Sequence, residues 1–149
     1  FSTIGCSSSE TSGSCDNSSM DGYQTVTVDG ETREYILELP DNYDSASTEP
    51  LPLILNFHGN GGCADNFSQG REDGPSGLSD IVNNHNVIVA YPQGVVRVKG
   101  AAEWDPGDNG TSSIIDNDVY FGQQLIADIA ANHSIDLAGF MQPATQMAE

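Results

Sequence analysis

The sequence predicts an α/β protein in which a β-hairpin is followed by parallel strands joined by crossover helices. Three observations carry that expectation. Leu53-Ile54-Leu55-Asn56-Phe57 and Val87-Ile88-Val89-Ala90 are apolar with almost no alternation, which is how strands covered on both faces read. Between them, Gly77 to Asn84 is long enough for a short crossover helix, and two buried strands joined in that way indicate a parallel sheet. Upstream, Thr25-Val26-Thr27-Val28 and Glu34 to Leu39 flank Asp29-Gly30, the dipeptide of a tight two-residue hairpin turn.

Residues 1–20 are polar and rich in Ser, and read as a flexible tether; residues 21–149 form the single domain, with order beginning near Tyr23. Pro40-Asp41-Asn42-Tyr43 ends the returning hairpin strand, because proline cannot donate to a ladder. A loop with Pro50 and Pro52 leads into the first buried run, which ends in His58-Gly59-Asn60-Gly61-Gly62, a turn too rich in glycine to be helical. The second run ends in Tyr91-Pro92-Gln93-Gly94. Val95 to Ser113 reads as a long polar loop holding the only Trp. Beyond it, Val119, Phe121, Gly122, Leu125, Ile126, Ile129 and Ala130 repeat at helical spacing behind Asp116-Asn117-Asp118. Those acids suit a helix start, through capping and the macrodipole, and their spacing is not that of a calcium loop. No metal site and no internal repeat is predicted.

Against 22 Asp and Glu stand four Lys and Arg, a formal charge of −18. Binding nucleic acid or anionic lipid requires clustered basic residues, so neither is an expected partner. No apolar run approaches the ~20 residues of a membrane helix. The chain opens on Phe1, as a mature or cut form does. Cys6 and Cys15 lie where nothing else fixes the backbone, so a local disulfide between them is expected; that leaves Cys63 either a buried free thiol or the partner of a cysteine outside this chain. Sequons at Asn17, Asn66, Asn109 and Asn132 mark glycosylation candidates. Together with the disulfide they point to an extracellular, secreted protein.

The chemistry-bearing piece is the glycine-rich turn. At the carboxyl end of a buried strand such a turn exposes backbone N–H groups, which can hold phosphate or stabilise the oxyanion of a tetrahedral intermediate. The phosphate version requires a P-loop lysine or a G-x-G-x-x-G spacing, and neither is present. A simpler account also stands, in which the glycines merely let the loop turn.

Arg33-Glu34-Tyr35 into Leu39-Pro40, Leu53 to Gly62, Val89 to Gly94 with downstream Trp104, and the helix from Asp116 to Asp136 resemble, in the same order, the secreted α/β-hydrolase esterases of the polyhydroxybutyrate depolymerase and feruloyl esterase group. The resemblance covers about Tyr23 to Asp136. It implies the N-terminal portion of an α/β-hydrolase fold and a cofactor-free serine ester hydrolase. The implied substrates are polymeric: polyesters, or feruloylated or acetylated polysaccharides. It also implies that Asn60, with Gly61, supplies the oxyanion-hole N–H. His58, Gly59 and Gly62 would support that loop, and His58 would not be the catalytic base.

The nucleophile elbow does not follow. Where G-x-S-x-G should stand, Met141 takes the nucleophile position and Pro143 that of the closing glycine. A thioether cannot attack a carbonyl. His85 lies in a polar surface stretch and His133 ends a helix, so no second triad assembles. The chain is therefore expected to be cut short near Asp136, to lack catalytic residues and ester turnover on its own, and to melt at low temperature. The competing expectation is a non-catalytic carbohydrate-binding or degenerate module, in which the Trp104 indole stacks on a sugar beside Asp105 and Asp108.

Overall fold

The computed structural model describes residues 22–68, 78–98, 101–105 and 118–139. The tether, Cys6, Cys15, Asn17, Asp108, Asn109, Asp116 and Met141, on which several of the expectations above fall, lie outside them.

Strands β1 (Tyr23–Val28) and β2 (Glu31–Glu38) form the hairpin. Asp29 and Gly30 both have positive φ, 50° and 87°, the backbone that lets a two-residue turn match the twist of its strands. β3 (Leu53–Leu55) is followed by two short helices, α1 (Ala64–Ser68) and α2 (Ser79–His85), and then by β4 (Ile88–Pro92). Left-handed Asn86 closes α2. A ribbon of β5 (Val95–Val98) and β6 (Ala101–Glu103) precedes α3 (Asp118–Asn132), and a 3₁₀ turn at Leu137–Gly139 ends the described chain.

The four principal strands lie in the order β1-β2-β4-β3. β4 is buried along its whole length because both of its faces are covered. Ile88 and Ala90 pack with Val28, Tyr35, Phe121, Leu125 and Ile129, under α3. Val89 and Tyr91 point the other way, against Ala64, Val82 and Val87 beside α1 and α2. This alternation of partners along one strand is the period of two that an extended backbone imposes.

The direction of the strands corrects the expected architecture. The two apolar runs, β3 and β4, are parallel neighbours as expected, but the parallel sheet of a partial α/β-hydrolase fold is not what the described residues form: the sheet is mixed, with few helices. β1–β2 and β2–β4 are antiparallel, and only β3–β4 is parallel, with Leu53 opposite Ile88 and Leu55 opposite Ala90. The physical reason is that an unalternating apolar run reports coverage of both faces and carries no information about the direction of its neighbour. β4 is covered on both sides, yet its longer partner is the antiparallel hairpin strand, joined for example by Gln93 N–H to Glu34 C=O at 2.9 Å. The expected polar loop after Gly94 also holds structure, the β5–β6 ribbon.

Candidate functional site

The His58–Gly62 turn follows β3 and is braced from three directions. His58 is buried. Its Nε2 accepts the Gly94 N–H at 3.0 Å, which requires that nitrogen to be unprotonated, and its Nδ1 donates to the Gly59 carbonyl at 2.7 Å. Burial lowers the pKa of His58 below its ordinary value, against opposing contributions from the Gly59 hydrogen bond and from Asp118. The ring is thus a neutral imidazole with both nitrogens engaged, and it serves as a fixed strut.

Trp104 supplies the second brace. Its indole Nε1 donates to the His58 carbonyl at 2.7 Å, and its ring lies edge-on to Phe57 at 5.0 Å and tilted over His58 at 4.7 Å. The third is Gln93, at the end of β4. Its Oε1 accepts from the Tyr23 hydroxyl and the Ala64 N–H, while its Nε2 donates to the Gly94 carbonyl. Burial, with Asp65 nearby, pushes Tyr23 up to about 12, so its hydroxyl stays protonated and donates.

The N–H groups of the braced turn divide into those bonded within the fold and those that are not. Gly61 donates to the Ala102 carbonyl at 2.8 Å and Gly62 to the Gly59 carbonyl at 3.0 Å. The expected oxyanion-hole role of Gly61 is corrected by that bond: its N–H is spent inside the fold, on β6. Gly59 and Asn60 are exposed, and their N–H groups have no partner among the described residues. Gly61 sits at φ 79°, where a side chain is strained. At Gly94 a Cβ would come within 2.8 Å of the Glu103 carbonyl and 3.2 Å of His58 Cε1, so only glycine allows β4, β6 and His58 to meet.

Below the turn lies a buried ion pair, Arg33 Nη2 to Asp118 Oδ1 at 2.5 Å. The Arg33 guanidinium stands 4.0 Å over the Phe121 ring and reaches the Gln93 carbonyl. Asp118 also accepts the Asp105 N–H, and its own N–H donates to the Asp105 carbonyl at 2.9 Å. Asp118 therefore does more than start a helix: it docks α3 and the Trp104-Asp105 segment onto the sheet. Asp105, expected at a substrate loop, is buried in this junction.

Beside Trp104 an open groove of ≈ 540 Å³ is lined by Leu55, Phe57, Trp104, Val119, Gly122 and Ile126, together with Asp118 and Gln123. Its accessible surface is apolar, which does not suit a sugar ring, whose hydroxyls require polar partners. Elsewhere, His133 Nδ1 lies 2.8 Å from the Tyr43 hydroxyl, and His85 is exposed in the last turn of α2. None of the three histidines is hydrogen-bonded to a serine, cysteine or carboxylate side chain among the described residues. Cys63 is buried and disulfide-bonded, which removes the free-thiol alternative; its partner, like Cys6 and Cys15, lies outside the described residues. Asn66 is half-buried on α1, and Asn132 is exposed at the end of α3. Among the described residues no cluster of three His, Cys, Asp or Glu could hold a metal, and no helix is long and apolar enough to cross a membrane.

Arg33, Gln93 and Gly94 were not singled out as site residues from the sequence. Arg33 did carry a signal: it shares strand parity with Tyr35 and Leu37, which puts a charge on the inward face of β2. Apart from the bond between them, Gln93 and Gly94 act through contacts distant in sequence. No protein-family model matches the chain, and neither does any curated protein.

Proposed function

We propose that the chain is of the secreted serine ester hydrolase type, of the polyhydroxybutyrate depolymerase and feruloyl esterase group, and that alone it is catalytically silent. The observation that carries this reading is the braced turn. A neutral, locked His58 and the Trp104 indole hold the exposed Gly59 and Asn60, whose N–H groups have no partner among the described residues, at the carboxyl end of a parallel strand. Preorganised donors of that kind stabilise a developing oxyanion at no cost in reorganisation. The silent half of the proposal rests on chemistry: no described histidine is hydrogen-bonded to a serine or cysteine, and Met141 cannot act as a nucleophile. The disulfide at Cys63 and the exposed sequon Asn132 support secretion.

The test has two arms. Titration with a short alkyl phosphonate, whose tetrahedral oxygens stand in for those of an ester-hydrolysis intermediate, is expected to shift the amide resonances of Gly59 and Asn60 and leave Gly61 unmoved. If no amide of residues 58–62 responds, the ester reading fails. Incubation with a nitrophenyl butyrate ester is expected to give no turnover above background, and turnover that co-purifies with the chain would overturn the silent half.

A further inference from the structure

We propose that Asn60 is a site of spontaneous deamidation, and that the fold guards it through the bond from Gly61 to Ala102 and the turn that bond holds. Among the described residues Asn60 is the only asparagine followed by glycine, the neighbour with no Cβ to hinder attack on the preceding side chain. The reaction lies within this dipeptide. The Gly61 backbone nitrogen loses its proton and bonds to Asn60 Cγ; the Cγ–Nδ2 bond breaks, and ammonia leaves with that proton. Water then adds across one C–N bond of the five-membered imide. Opening at Cγ gives aspartate, and opening at the main-chain carbonyl gives isoaspartate, whose backbone runs through Cβ and Cγ. No co-reactant other than water is required, and Asn60 is exposed to it.

Two features of the native turn oppose the first step. The turn is closed by Gly62 N–H to the Gly59 carbonyl at 3.0 Å, with Asn60 and Gly61 as its central residues. Gly61 stands at φ 79° and Asn60 is not among the residues of positive φ. That is the pattern of a type II turn, whose first central residue has ψ of about +120°. Imide closure makes the Asn60 side chain eclipse the Gly61 nitrogen, which for an L residue requires ψ of the opposite sign. The native backbone thus holds the nucleophile on the wrong side of Asn60.

The second obstacle is the proton itself. Gly61 N–H donates to the carbonyl of buried Ala102 at 2.8 Å, so the nitrogen cannot be deprotonated until that bond breaks. Around it, His58 Nδ1 donates to the Gly59 carbonyl and Trp104 Nε1 to the His58 carbonyl. Reaction therefore proceeds only from the fraction of chains whose turn has opened, and its rate reads the local stability of the turn. The product differs in two ways: a carboxylate replaces the amide, and isoaspartate adds one atom to the main chain inside the turn. The chemistry does not rest on the ester-hydrolase reading. On that reading the new carboxylate, beside the Asn60 N–H, would repel an oxyanion.

The full chain is incubated in mildly alkaline buffer, native and in urea, and the peptide containing Asn60 is resolved by mass spectrometry into asparagine, aspartate and isoaspartate forms. Asn60 is expected to deamidate in urea, and at least about tenfold more slowly in the native chain, where only the opened fraction reacts. Gly94→Ala, whose Cβ presses on the Glu103 carbonyl next to Ala102, is expected to accelerate the native reaction several-fold. Its folding is checked by far-ultraviolet circular dichroism, and Trp104→Phe, which releases the His58 carbonyl, serves as a second variant. Equal rates in buffer and in urea would overturn the proposal, since the fold would then guard nothing. So would an Asn60 that stays intact in urea, or folded variants that react as slowly as the parent.

Discussion

The indole of Trp104 donates its single N–H to the carbonyl of His58 at 2.7 Å, so the only tryptophan of the chain clamps the first residue of the glycine-rich turn. Trp104→Phe keeps the edge-on packing against Phe57 and removes this bond. Leaving the carbonyl without its partner is expected to cost about 1–2 kcal/mol, measured by urea unfolding at neutral pH. It is also expected to raise amide exchange at Gly59 and Asn60. Unchanged exchange would show that the turn holds itself.

Removing one half of the Arg33–Asp118 pair strands a charge in the interior. Asp118→Ala is expected to destabilise by about 3–5 kcal/mol, because the guanidinium over Phe121 loses its counter-charge. Replacing both residues by apolar ones, R33M/D118L, is expected to recover a large part of that loss. A double variant no better than Asp118→Ala, in thermal or denaturant unfolding, would mean that the Asp105 N–H contact matters more than the ion pair.

Three glycines separate steric need from conformational convenience. Gly94→Ala forces a Cβ against the Glu103 carbonyl and is expected to cost about 1–3 kcal/mol. At Gly122, inside α3 and facing open space, alanine is expected to stabilise by about 0.5–1 kcal/mol. Gly59→Ala, with nothing near its Cβ and no positive φ, is expected to change stability little. Circular dichroism melts of the three variants rank them directly.

His58 binds its proton less readily in the folded chain than in the unfolded one, whose value is near 6.5. The unfolded state therefore takes up protons first as pH falls. The stability contributed by neutral His58 is complete above pH 6.5 and is lost on descending below it, until the depressed native value is reached. His58→Gln is expected to remove this component: between pH 7.5 and 5 the melting temperature of the parent should fall more steeply than that of the variant. Parallel slopes would place the acid sensitivity elsewhere.

The hairpin was legible because Asp29-Gly30 admits positive φ at both positions, a local requirement that local sequence expresses. α3 was legible in its apolar spacing, and it begins at Asp118, within the acidic cluster expected to start it. What could not be read is whatever depends on partners far along the chain. The apolar run of β4 announces two covered faces but is silent on whether β2 runs with it or against it. The glycines of the turn mark a place where backbone is exposed, yet whether Gly61 or Asn60 offers its N–H is decided by the carbonyl of Ala102, some forty residues later. Arg33 could have been found from its inward parity, but its counter-ion and the ring beneath it belong to a helix that the strand itself does not predict.

β4 also has a consequence for how the chain comes to be folded. Its neighbours on one side precede it in the chain, but the cover for Ile88 and Ala90 is α3, which leaves the ribosome later. During synthesis the most apolar stretch of the molecule therefore waits, its α3-side face bare, until residues 118–132 emerge. A nascent chain halted before Ile129 still lacks part of that cover. The delay makes the residues after Trp104 a timer whose length sets how long that exposure lasts.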